Sequence, residues 1–338
     1  MFFSILIPVF NAADYLDRCL ESIINQTCDD YEIVIVDDGS TDNSTNICKR
    51  WQNLHNNRIR FIENHHSGSL LTRRKCFSEA RGDYFYVIDA DDYLLDNNML
   101  ALIKRTIQKW NSDLVFFRFT RTKDLRPLID YPFKKDRVLD SDSIKVIYRS
   151  MLTDDSMKSL WNKVFSRELI DWNEDYSQYA EVSNGTDFFQ LIPIISAAKR
   201  IVYLDNVWYY YSNTPNSIVN RFNPLTYSSL KALNDRLSAY SLHWEIDASE
   251  CEKLLARKRV LDAISSVIKI RYVDRKQNKT RIDYIKRIGD DDTFRESYEA
   301  VDCKSIAFKK RIFAYLLYRR KYTILNLILS TIGALNLI

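Results

Sequence analysis

The sequence predicts a mixed α/β protein, with a mostly parallel sheet carrying helices on both faces over residues 1–220 and a helical region over residues 221–338. Three observations lead there. Between Phe3 and Ile88, apolar runs of strand length alternate with segments of helical periodicity, the order expected of a parallel sheet. Three of those runs are followed by polar, mainly acidic loops, as at the ligand-binding edge of an open sheet. Beyond Phe222 the pattern becomes helical.

Taken in order, residues 3–9 form an apolar strand. Asn11 follows, a good N-cap residue with Asp14 three positions on, so a helix is expected to start there, with Leu16, Cys19, Leu20, Ile23 and Ile24 on one face. The run from Tyr31 to Val36 is apolar almost throughout, which suits a strand buried on both faces. The loop from Asp37 to Asp42 then opens a second helix. Arg58 to Glu63 reads as a weaker strand, Leu70 to Ala80 as a helix, and Tyr84 to Ile88 as a strand after the Arg81-Gly82 break. Further helices are expected over Leu225 to Leu242, over Glu250 to Arg271 and from about Ile306.

With 338 residues, 46% hydrophobic and 28% charged, the chain has the composition of an ordinary soluble globular protein and can bury a sizeable core. Its six cysteines, Cys19, Cys28, Cys48, Cys76, Cys251 and Cys303, include no Cys-x-x-Cys pair, which argues against a zinc site or a disulfide framework. The N-terminus has no basic flank and runs directly into a core strand, unlike a secretory signal. A cytoplasmic location is therefore expected. The net charge of +4 hides an asymmetry: residues 251–322 carry 20 Lys and Arg against 10 Asp and Glu. Basic character at one end points to an anionic partner.

The chemistry is concentrated at the strand ends. Asn11 follows the first strand, Asp37 and Asp38 the second, and Asp89-Ala90-Asp91-Asp92 the strand from Tyr84. Carboxylates crowded on one edge raise one another's pKa unless a cation or hydrogen-bond donors compensate. Oxygen ligands without nearby Cys or His favour Mg²⁺ or Mn²⁺. Taken singly, Asp-Asp-Gly-Ser is also an ordinary turn with a helix cap.

The run Ser4-Ile5-Leu6-Ile7-Pro8-Val9-Phe10-Asn11, then Ser22-Ile23-Ile24-Asn25-Gln26-Thr27, then Ile35-Val36-Asp37-Asp38-Gly39-Ser40-Thr41-Asp42, closely resembles the opening of the family 2 glycosyltransferases in order and spacing. Gly82-Asp83-Tyr84 leading to Asp89-Ala90-Asp91-Asp92 looks like that family's DXD motif, and the resemblance extends to about residue 220. It implies a GT-A type, Rossmann-like fold and transfer of a sugar from a nucleotide-sugar, UDP-linked by family resemblance alone. Carried over by position, Pro8, Val9 and Asn11 lie along the nucleotide, Asp38 reads the base with Asp37 in support, and Arg73 stands near the nucleotide. Asp89 approaches the ribose or sugar, Asp91 ligates the metal, and Asp92 is its close neighbour and second candidate ligand.

Gly185-Thr186-Asp187-Phe188-Phe189 looks like the family's Glu-Asp motif with Thr186 in place of the glutamate. That makes Asp187 the candidate general base, since an inverting transfer needs a group to take the proton of the attacking acceptor hydroxyl. Two departures stand out: the family commonly reads Arg-Asn-x-Gly where this chain has Arg73-Arg74-Lys75-Cys76, and position 186 has lost its carboxylate. Leu160 to Leu169 resembles a segment of the acceptor side, and Trp208 to Tyr211 offers aromatic rings for sugar faces or for simple strand packing.

The expected partners are the nucleotide-sugar and a saccharide or lipid-linked acceptor in surface polysaccharide synthesis, at the inner face of the cell membrane. The C-terminal stretch interleaves basic and aromatic residues from Ala307 to Tyr322 and is uncharged over 323–338. Too short to span a bilayer, it reads as a peripheral membrane anchor or as a helix docked on its own protein or on a second subunit of a homodimer. Nucleic acid is not expected, because the acidic edge would repel it. A nucleotidyltransferase would need a glycine-rich triphosphate loop where only Asn11-Ala12-Ala13 stands, and a silent sugar-binding scaffold would not need Asp89, Asp91 and Asp187.

Overall fold

A computed structural model of the chain describes residues 1–154, 156–214 and 222–332. The chain forms two compact units, Met1–Ile144 with Lys158–Thr214, and Lys145–Met157 with Pro215–Ile338. Asn216-Ser217-Ile218 and the last six residues of the uncharged tail lie outside the described residues.

The first unit is built on an eight-stranded sheet: β1 (Phe3–Val9), β2 (Tyr31–Asp37), β3 (Ile59–Glu63), β4 (Tyr84–Val87), β5 (Tyr93–Leu94), β6 (Leu114–Thr120), β7 (Lys163–Ser166) and β8 (Ile201–Tyr210). The spatial order is β3-β2-β1-β4-β7-β6-β8-β5. The β3, β2, β1 and β4 ladders are parallel, as is β6 with β8, while β7 and β5 run against their neighbours. The alternating pattern of the first ninety or so residues does not reveal β6 or β7. β7 is inserted by pairings made at long range, Tyr84 with Ser166 on one side and Leu114 with Phe165 on the other.

Helices cover both faces because strand side chains alternate. Phe3, Ile5, Ile7 and Val9 pack in one cluster with Leu16, Cys19, Leu20 and Ile23 of α1 (Ala13–Ile24) and with Met99, Leu100 and Ile103 of α4 (Met99–Trp110). On the other face Phe85 stacks on Phe77 of α3 (Ser69–Glu79), with ring centroids 5.7 Å apart. α2 (Ser44–Leu54) follows β2, α5 (Ser141–Thr153) follows β6, and α6 (Thr186–Ala197) precedes β8.

The second unit is helical: α7 (Thr226–Ser241), α8 (Ala248–Ile268), α9 (Asn278–Gly289), α10 (Asp292–Ala300), α11 (Phe308–Tyr318) and α12 (Tyr322–Ile332), around a core that includes Val260, Ile264, Ile285, Phe294, Phe313, Leu317, Leu325 and Leu329. Most of α5 belongs here: Tyr148 stacks on Trp244 at 4.7 Å, and Arg149 pairs with Glu250 at 2.7 Å. Apolar periodicity misses α9 and α10. In α9 the inward position is a charged residue: Arg281 is 1% exposed and donates to Asn326 Oδ1, Ser330 Oγ and the carbonyls of Ile270 and Val273. The uncharged stretch read as a possible anchor packs inward through Leu325 and Leu329. Among the described residues, no helix is long and apolar enough to cross a membrane. All six cysteines are free, five of them buried.

Candidate active site

Three loops meet at the carboxyl edge of β2, β1 and β4. Val9 is in register with Asp37, the Asp38 amide donates to Val9 O at 2.8 Å, and the Ile88 amide donates to Leu6 O at 3.0 Å. Pro8 and Val9 thus end a strand flanked on both sides by acidic loops. Asn11 does not cap α1, contrary to the expectation. It takes a left-handed conformation (φ 50°), and its Oδ1 accepts from the amides of Thr41 at 2.8 Å and Asp42 at 3.3 Å. The first amides of α1 are satisfied from the neighbouring loop instead, Ala12 by Ser44 Oγ at 2.8 Å and Ala13 by Asp42 Oδ2 at 3.1 Å. The two loops therefore brace each other.

Asp37 and Asp38 are both 2% exposed. Asp37 accepts from the Ser40 amide and hydroxyl and from Thr45 Oγ1, which ties it to the start of α2. Asp38 accepts from Ser67 N at 2.7 Å, Ser67 Oγ at 2.9 Å and Gly68 N at 2.9 Å, and His66 Nδ1 lies 3.0 Å from its Oδ2. Gly39 sits opposite with φ 75°, and a Cβ there would come within 3.2 Å of the His66 amide nitrogen. Only glycine suits both that conformation and that approach. Above this loop Phe10 is 49% exposed, with its ring 4.7 Å from the imidazole of His66.

The loop after β4 is different. Asp92 is 1% exposed, and both its oxygens are engaged: Tyr209 donates to Oδ2 at 2.5 Å and the Ser212 amide to Oδ1 at 2.7 Å. Asp91 is half-buried and accepts from Thr214 Oγ1 at 3.3 Å. Arg18 on α1 reaches over from the side, donating to Asp91 O at 3.1 Å and to Ser212 Oγ at 3.0 Å, and lies over the Tyr93 ring. Burial pushes the carboxyls of Asp89, Asp91 and Asp92 above the usual range; for Asp89 the charge of Asp187 adds to this, and for Asp92 the charges of Asp89 and Asp91.

Arg73 on α3 joins this loop to α6. It is 6% exposed; its guanidinium donates to Thr186 Oγ1 at 2.9 Å and reaches Asp187 Oδ1 at 2.7 Å and Asp89 Oδ1 at 3.3 Å. Its buried Nε has no hydrogen-bond partner among the described residues. The hydroxyl at position 186, where the family's motif has a carboxylate, thus serves as an acceptor for Arg73. Lys163 on β7 is fully buried, donating to Ser159 O at 2.6 Å and Asn162 Oδ1 at 2.8 Å. Burial lowers its pKa to about 7, an effect that the nearby Asp187 charge opposes.

The family model of Glycosyl transferase family 2 matches residues 4–169, which include all three acidic loops and Arg73. Residues 4–169 form a glycosyl transferase family 2 domain. The putative glycosyltransferase EpsH of Bacillus subtilis is 27% identical over 247 residues, covering 70% of this chain and 68% of that protein. Glycosyltransferase GlyA of Streptococcus pneumoniae is 26% identical over 217 residues, 62% of this chain and 30% of GlyA, so the match spans under a third of that relative's length. Among solved structures, S. aureus TarS 1-349 in complex with UDP-GlcNAc superposes with a TM-score of 0.67 at 16% identity, over 98% of this chain and 91% of the other. The fold is GT-A, with a helical C-terminal region.

The residues expected at the site fall into two groups, Pro8, Val9, Asn11, Asp37 and Asp38 on one side and Arg73, Asp89, Asp91, Asp92 and Asp187 on the other. Arg74 and Lys75 turn elsewhere: Arg74 lies 4.2 Å over the Tyr176 ring and donates to Asp171 O, and Lys75 pairs with Glu79. Trp208 and Tyr209 are buried, Trp161 stacks on Tyr209 at 4.5 Å, and Tyr210 stacks on Tyr93 at 4.7 Å, so most of these rings serve packing. Sequence reading passed over Phe10, Arg18, Ser67 and Thr214. Phe10 alone carried a local signal, an aromatic directly after a core strand at the binding edge.

Proposed function

We propose that this chain transfers a hexosyl group, with inversion, from a UDP-sugar to a hydroxyl of a saccharide or lipid-linked acceptor in surface polysaccharide synthesis. The observation that carries the reading is the Arg73 bridge between Asp89 and Asp187. It sets the one carboxylate suited to activating an acceptor beside the loop suited to holding a sugar diphosphate. In this reading Asp187 takes the proton of the acceptor hydroxyl as that oxygen attacks the anomeric carbon from the side opposite the leaving diphosphate. Phe10, Pro8, Val9 and Asn11 flank the nucleotide, Asp38 with His66 meets the base, and Asp37 holds that loop. Arg73 orients Asp187 and Asp89.

A divalent cation fits the donor set. Asp92 is buried, Asp89 and Asp91 are half-buried, and burial raises the pKa of all three, so a cation beside them would be favourable. Among the described residues no group of three His, Cys, Asp or Glu forms a preformed cage. That suits Mg²⁺ or Mn²⁺, which commonly take one or two carboxylates and complete their shell with substrate phosphates and water. Of the two expected ligands we favour Asp91, because both oxygens of Asp92 are held by Tyr209 and Ser212. Bound there, the ion would supply charge stabilisation for the leaving diphosphate.

The test is a thermal-shift series with UDP, GDP, CDP and dTDP, each with Mn²⁺ and with chelator. A ligand at about 100 times its Kd stabilises by roughly 2.7 kcal/mol, enough to raise the midpoint by several degrees. A manganese-dependent shift with UDP is expected. No shift with any nucleotide would overturn the reading.

A further inference from the structure

The chain contains no Asp or Glu from Cys303 onward, yet residues 303–332 carry seven basic residues, Lys304, Lys309, Lys310, Arg311, Arg319, Arg320 and Lys321. On α11 the buried side is apolar and complete: Phe313, Ala314 and Leu317 enter the core. Its opposite side is apolar too. Phe308, Ile312 and Tyr315 are spaced i, i+4, i+7 on one face and are 70%, 43% and 52% exposed. On α12, Ile324 and Leu327 are likewise 49% and 65% exposed.

The turn between the two helices adds charge at a conformational cost. The amide of Lys321 donates to Leu316 O and that of Arg320 to Leu317 O, closing α11 with Arg320 at φ 56°. Glycine usually holds this left-handed position. Here it is an arginine, which pairs with Asp290 at 3.0 Å, between Arg319 and Lys321, which are both exposed.

We propose that the outward face of α11, with the basic turn that follows it, is a docking surface for an anionic lipid bilayer. A solvent-facing helix gains nothing from a phenylalanine, an isoleucine and a tyrosine in one row. Such a row set among cations is the pattern of an interfacial helix, whose apolar stripe enters the headgroup boundary while Lys and Arg meet anionic headgroups. The exposed cations Arg319 and Lys321, on a segment without acid of its own, set the sign of the partner, and the apolar stripe distinguishes a bilayer from a purely charged polymer. The face differs from the one first suggested by the uncharged tail, since Leu325 and Leu329 are buried in the protein's own core. This inference stands apart from the transfer reaction and can hold or fail without it.

The experiment is vesicle flotation of the full chain, with vesicles rich in phosphatidylglycerol against vesicles of phosphatidylcholine alone, on wild type, F308S/I312S and R319E/K321E. These side chains are solvent-facing, and circular dichroism checks that each variant folds. Wild type should bind the anionic vesicles, and each double variant should weaken that binding by roughly tenfold or more. Equal binding to both vesicle types, or unchanged binding of F308S/I312S, overturns the proposal. A concentration-dependent dimer that F308S/I312S abolishes, with no vesicle binding by wild type, also overturns it, in favour of a second copy on this face.

Discussion

Two acidic loops lie on either side of β1 at the same sheet edge and are held in opposite ways. Asp37 and Asp38 are each met by hydroxyls and amides of their own surroundings, Ser40 and Thr45 for one, Ser67 and Gly68 for the other. Asp89, Asp91 and Asp92 are just as crowded, but burial, joined by repulsion between acids at Asp89 and Asp92, leaves them with raised pKa values despite Arg73, Arg18 and Tyr209. A run of aspartates at a strand end is therefore ambiguous by itself. What separates the two loops is how completely neighbouring donors already compensate the charge.

The largest test of that contrast is Asp187→Asn, which should lower transfer on the order of 10²–10⁴-fold while leaving metal-dependent nucleotide affinity near wild type. Equal loss of both would remove Asp187 from the base role. Asp91→Ala should cut nucleotide affinity in Mn²⁺ by about tenfold or more, measured by calorimetry, yet leave the midpoint without ligand unchanged or higher, because it deletes an under-compensated acid. Asp37→Ala belongs to the other class: it leaves the Ser40 and Thr45 donors unpaired and should cost about 1–3 kcal/mol in urea unfolding, with or without manganese.

The last test is the pH dependence at Lys163. Its folded pKa, about 7, lies below the 10.5 of an unfolded lysine. Between those values the unfolded chain binds more protons, so stability rises with pH through that window. Lys163→Met should flatten the rise between pH 7 and about 10, and an unchanged slope would show that the ammonium is compensated where it lies.

Much of this was legible in local pattern. The strands at β1, β2 and β4 announce themselves because burial on both faces demands unbroken apolar runs, and the acidic loops follow them directly. What local pattern cannot carry is partnership at long range. The bond from Arg73 to Thr186 spans 113 positions and that from Tyr209 to Asp92 spans 117. Asn11 shows the same limit on a shorter scale: its type suggests a cap, but its side chain serves the loop thirty residues on. In the helical unit Arg281 hides α9 by placing a charge where periodicity looks for an apolar residue.

The detour of α5 also governs the order in which the protein can be completed as it is synthesised. Residues 145–157 emerge early, yet Arg149 meets Glu250 only 101 positions later. Until the rest of that unit is made, Ile147, Met151 and Leu152, all buried in the finished protein, have no complete core to enter. A fragment cut at Thr214 would keep them in that condition permanently, so such a fragment should aggregate even though its sheet is whole.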